Sequence, residues 1–160
     1  MSNIHISHSI HHIFQGEDGL CWAAAIAMIK GRHSLEGAYH VAALAGINRT
    51  NMAIQNSEIS HAFRANGLLS VRVPTPLTVE GLAEIINEKP AVFFLGLRQG
   101  HHASNGGNHH VIVIRGMNGD GSRNTNVYVN DPWETGGATV SFNYLTTQYW
   151  SSIDHIGQRR

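Results

Sequence analysis

Apolar residues fall at helical spacing through the first half of this chain and at strand spacing through the second. Leu20 to Gly31 is an unbroken alanine-rich run that predicts one helix. Ser34 is placed to cap a second helix through Ala45, which Gly46 would end. A third opens at Asn56 or Ser57 and runs through Ala65, before Asn66-Gly67. Ser70 to Val73 reads as a short strand ahead of Pro74 and Pro76, and Thr78 caps a fourth helix that Lys89-Pro90 stops. The period then changes. Ala91–Leu97, His110–Arg115, Val127–Asn130 and Ala138–Phe142 are rich in Val, Ile and Phe, and Gly, Asn and Asp bound them. Gly116 to Ser122 reads as a hairpin connection, Asn143–Tyr149 as a short helix and Ser152–Ile156 as a last strand. Helices first and antiparallel strands later predict an α+β fold, two lobes with a cleft between them.

Length and composition narrow the picture. The 160 residues suit one domain over 1–160, and neither repeats nor low-complexity linkers divide them. Eleven basic and eleven acidic residues cancel, so nucleic acid and anionic membranes are not expected partners. A single cysteine excludes an intramolecular disulfide framework and a cysteine-rich zinc site. Met1-Ser2-Asn3-Ile4-His5 has neither the basic start nor the apolar run of a secretory signal, and no apolar segment is long enough to span a bilayer. Synthesis in the cytoplasm without a signal peptide is expected. Delivery by a signal-independent secretion system, or excision from a larger toxin, stays open.

The lone cysteine carries the chemistry. Cys21 follows the glycine- and acid-containing stretch Gln15 to Leu20 and falls in the first turn of the expected helix. A helix N-terminus has unpaired N–H groups and partial positive charge, which favour a thiolate. Downstream, His110 heads an apolar strand and Asp131 follows the next one. Cysteine on a helix, then histidine and a carboxylate on neighbouring strands, suits nucleophilic catalysis by an imidazole-paired thiol.

Gln15, Cys21-Trp22, His110 with its apolar strand and Gly116, and Asn130-Asp131-Pro132-Trp133 together resemble the motifs of papain-like cysteine peptidases. The likeness is nearest to compact bacterial branches, the bacteriocin-leader-processing peptidases and the papain-like effector proteases injected into other cells. One departure is Asp18-Gly19-Leu20 before Cys21, where peptide papains have Cys-Gly-Ser before the cysteine. The resemblance implies a papain-like α+β fold, its N-terminal helical lobe carrying Cys21 and its C-terminal antiparallel sheet lobe carrying His110 and Asp131. It implies a thiol endopeptidase without metal or organic cofactor. His110 pairs with the Cys21 thiolate and later protonates the leaving amine, and Asp131 holds the imidazole tautomer. Gln15, six residues before Cys21, and the Cys21 N–H form an oxyanion hole.

Neighbours compete for two of these roles. Strand alternation turns His109 and His110 to opposite faces, and the resemblance favours His110, six residues before a strand-ending Gly116. Asn130 rivals Asp131 for the same reason. Trp22 suits core or site wall, and Pro132-Trp133 is given no chemical role. His101, His102 and His109, and separately His5, His8, His11 and His12, lack the spacing of a zinc hydrolase and read as solvated loop residues. The loop Gln99–Asn108 borders the catalytic strand, as a gate or as a plain connection.

The expected partners are a protein or peptide substrate and, from the likeness to injected effectors, a cognate immunity or inhibitor protein. The likeness to leader peptidases implies cleavage after Gly-Gly. The same Cys/His pair also serves papain-like deamidases and acyltransferases, and a silent peptide-binding domain is the third reading.

Overall fold

The computed structural model describes residues 3–16, 19–47, 54–98 and 109–160. Their elements run β1 (Ile4–Ser7), α1 (Cys21–Ile29), α2 (Leu35–Ala45), α3 (Asn56–Ala65), β2 (Leu68–Val71), α4 (Val79–Ile86) and β3 (Ala91–Leu97). There follow β4 (His109–Gly119), β5 (Asn126–Asn130), β6 (Ala138–Ser141), a short α5 (Phe142–Tyr144), a π-helical turn (Leu145–Tyr149) and β7 (Trp150–Arg159). The fold class is α+β. All strand pairs are antiparallel, in the order β2-β7-β3-β4-β5-β6, with β1 on β4 as the seventh strand.

Most local signals act as their chemistry requires. Gly46 closes α2 in the left-handed conformation, φ 70°. Thr78 caps α4, its Oγ1 accepting the Gly81 N–H at 2.9 Å. At α3 the Glu58 carboxylate reaches back to the Gln55 N–H at 2.9 Å, so Gln55 rather than Asn56 or Ser57 is the capping residue.

Alternation along the central strands divides the core into two layers. Val92 and Phe94 of β3 and Val111 and Val113 of β4 pack under α1, α2 and α3. Phe93, Leu95, Ile112 and Ile114 face the other way, toward α4 and Phe142. All nine residues of α1 are buried, so this helix lies inside the molecule, and its alanines let the neighbouring elements pack close around it.

Three expectations need correction. No element is expected before Leu20, yet Ile4–Ser7 is a strand whose register runs from Ile4↔Gly119 to Ser7↔Gly116. Gly116 therefore does not end its strand. With β1 on one side and β5 on the other, β4 continues to Gly119, and the connection shrinks to the residues between it and Asn126. Glycine is needed at 116 because a Cβ there would lie 2.3 Å from the Ile6 carbonyl oxygen. Finally, the halves of the chain interleave rather than forming a helical and a sheet lobe. β1 and β2 enter the sheet, and α4 covers the face opposite α1. Among the described residues, no helix is long and apolar enough to cross a membrane.

Candidate active site

Antiparallel pairing sets the end of β5 beside the start of β4, and the first turn of α1 reaches the same place. Helix α1 begins at Cys21 with no side-chain cap and no acid in its first turn, so its electropositive end acts on the thiol directly. Cys21 and His110 are 1% and 0% exposed, which removes the solvent screening that would weaken a charge pair between them.

His110 joins two partners. Its Nε2 bonds Asp131 Oδ1 at 2.6 Å, and the ring also hydrogen-bonds Cys21, for which Nδ1 is the nitrogen left. Burial is the largest single influence on this imidazole and opposes its charge. The ionised Cys21 sulfur and the Asp131 carboxylate outweigh that penalty and raise its pKa to about 10.

The rival residues point elsewhere. His109 stacks on Phe94, ring centroids 5.1 Å apart, and its Nε2 lies 3.2 Å from Asp154 Oδ2. Asn130 packs toward α1, its Nδ2 meeting Met28 Sδ at 3.8 Å. Gln15 is buried, and its backbone N–H donates to the Pro132 carbonyl at 2.7 Å, which ties its segment to the turn just after Asp131.

Two contributors escape sequence reasoning. The Trp133 backbone N–H donates to Asp131 Oδ1 at 2.9 Å, so the Pro132-Trp133 turn orients the carboxylate as well as anchoring Gln15. Tyr149, at the end of the π-helical turn, donates its hydroxyl to Asp131 Oδ2 at 2.9 Å. Burial, then the Asp131 charge, holds that phenol protonated throughout the useful pH range. Both carboxylate oxygens are thus engaged, which leaves Asp131 one orientation. Tyr149→Phe should lower stability by about 1.5–3 kcal/mol, the usual worth of a hydrogen bond to a charged group, as read by urea denaturation. Its turnover should fall by less than that of Asp131→Ala.

The N-terminal histidines have separate duties. His5 Nδ1 meets Asn118 Oδ1 at 2.6 Å, His8 and His12 bond the carbonyls of Ile86 and Glu134, and His11 stacks on His33. Among the described residues, no three His, Cys, Asp or Glu side chains gather as a metal site. Glu17, Asp18, His101, His102 and the proposed gate Gln99–Asn108 lie outside the described residues.

The family model described as papain-like cysteine protease AvrRpt2 matches residues 5–149. The chain belongs to that family. It is a papain-like cysteine peptidase of bacterial effector type, a hydrolase by class. No curated protein matches the chain. The matched span begins within β1 and closes on Tyr149, so every residue placed around His110 in this papain-like protease lies inside it.

Proposed function

We propose that Cys21, His110, Asp131 and Gln15 form the catalytic set of a thiol endopeptidase. The buried contact of His110 with both Asp131 and Cys21 carries this reading. The Cys21 thiolate attacks the carbonyl carbon of the scissile bond, and an Sγ–C bond forms. The carbonyl oxygen takes the negative charge, held by the Cys21 N–H and the Gln15 side-chain amide. As the intermediate collapses, the C–N bond breaks and His110 Nδ1 gives its proton to the leaving amine. Neutral His110 then takes a proton from water, whose oxygen attacks the thioester. The acid product leaves, and the thiolate and imidazolium are restored. Asp131 and Tyr149 hold the ring through both transfers.

The finer reading follows the resemblance. The enzyme cleaves after Gly-Gly in proteins of a cell other than the one that makes it, and a dedicated immunity or inhibitor protein restrains it in the producer. A subsite too narrow for side chains would impose the Gly-Gly preference.

The test is to incubate the protein with a proteome-derived peptide library and sequence the new N-termini. New ends after Gly-Gly, absent with Cys21→Ala, support the reading, together with an acyl adduct on Cys21 by mass spectrometry. Cleavage at bulky residues but never at Gly-Gly removes the specificity. Ammonia release without chain cleavage replaces peptidase by deamidase. Gln15→Ala is expected to lower kcat by about 10²–10³ with little change in KM, since an oxyanion donor acts mainly in the transition state. Steady-state kinetics on the best library peptide checks this.

A further inference from the structure

At the end of α1 remote from Cys21, the structure has a cavity of about 750 Å³ unrelated to the site above. Met28 and Ile29 form part of its apolar floor. His8, His11, His33, Lys89, Arg159 and Arg160 line it, and none of its lining residues is acidic. Three of these, Lys89, Arg159 and Arg160, are basic residues from separated parts of the chain, although the protein as a whole has no net charge with histidine counted neutral.

We propose that this cavity binds a small molecule carrying two or more phosphate groups. The concentration of positive charge is the first argument. Lys30, beside the cavity, has its pKa lowered by burial, then by Arg32 and Arg159, so repulsion accumulates here that an anion would relieve. The second is donor chemistry. The planar guanidiniums of Arg159 and Arg160 match phosphate oxygens in pairs, and the Lys89 ammonium, which donates one N–H to the Arg160 main-chain oxygen, keeps two more for a ligand. A single monoanion would leave most of this charge uncompensated. The third is shape: a concavity of this volume encloses a compact ligand and is unsuited to a flat membrane surface. Its ligand would join the segment after β1, the end of α1, the turn after α4 and the end of β7.

Calorimetric titration of the intact protein with sodium tripolyphosphate, at about 0.15 M salt, tests this. One-site binding is expected, weakened about tenfold or more in Arg159→Glu/Lys89→Glu, the scale of a lost charged hydrogen bond. Arg123→Glu, a reversal on the connection between β4 and β5 and outside the cavity lining, should leave affinity within about twofold, as exposed charges that make no contact with a ligand are screened by salt. Circular dichroism checks folding, and Arg159→Gln alone, with a smaller loss expected, replaces the double variant if that fails to fold. Absence of tripolyphosphate binding overturns the proposal. Equal weakening by Arg123→Glu also overturns it, since general charge attraction would then suffice. So does binding to phosphatidylserine vesicles without binding to tripolyphosphate, which would mark a membrane surface instead.

Discussion

His110→Ala is expected to lower kcat/KM by about 10⁴–10⁶ and to make Cys21 react with iodoacetamide like an ordinary thiol. If Cys21 and His110 form the ion pair proposed above, alkylation should be rapid well below pH 8 and should keep its rate toward the alkaline side. The sign of the pH effect follows from the raised His110 pKa. Its contribution to stability is fully present below about 6.5, the ordinary histidine value, and is lost as pH rises through about 10. The native labelling profile should therefore change near pH 10, where the imidazolium gives up its proton. In His110→Ala that feature should vanish, and labelling should rise around pH 8.5 as a free thiol does. Burial sharpens the test. Cys21 is enclosed in the native protein, and removing the imidazole opens space beside it. Slower labelling at pH 6 despite easier access can only come from loss of the thiolate. Equal labelling in both proteins would mark Cys21 as an inert core residue and end the peptidase mechanism proposed for it.

Local signals along the chain make much of this fold legible. The start of α4 at Thr78, the end of α2 at Gly46 and the span of β3 each depend on residues within a few positions, and these are where sequence and structure agree. β1 carries only a short one. Ile4-His5-Ile6-Ser7 alternates apolar and polar as a half-buried strand does, but over four positions, and its partners in β4 lie more than a hundred positions downstream. Four alternating residues specify a strand only weakly until that pairing forms. The same contrast runs through the site. Cys21 and His110 stand out because residue type and local element coincide. Asn130 and Asp131 are not separable by pattern, because alternation says that neighbours diverge and not which one faces His110. The backbone N–H of Trp133 has no residue signature at all. Tyr149 is hidden differently: its segment reads as helix, but widening to π geometry over Leu145–Tyr149 resets the direction of its last side chain.

Asp131→Ala should be the second most damaging change, and for a reason distinct from the first. It removes the acceptor of three donors at once: His110 Nε2, the Trp133 N–H and the Tyr149 hydroxyl. A buried imidazolium would lose its carboxylate, and breaking one partner of such a pair typically costs about 3–5 kcal/mol. The native state can avoid part of that penalty by releasing the His110 proton, which also disarms the thiolate pair. We expect kcat to fall by about 10³–10⁴, the scale seen when the orienting carboxylate of a catalytic triad is disabled. Asp131→Asn separates shape from charge. Its side-chain amide is nearly isosteric and can still hydrogen-bond the ring, but the Coulombic support is gone and the amide can favour the wrong tautomer. Its stability loss should be smaller than that of alanine while its rate loss stays on the same scale, and the alkaline feature of its labelling profile should move below pH 10, since one of the groups raising the His110 pKa has been neutralised. An unmoved feature in Asp131→Asn would assign the raised pKa to Cys21 alone and reduce Asp131 to a steric support.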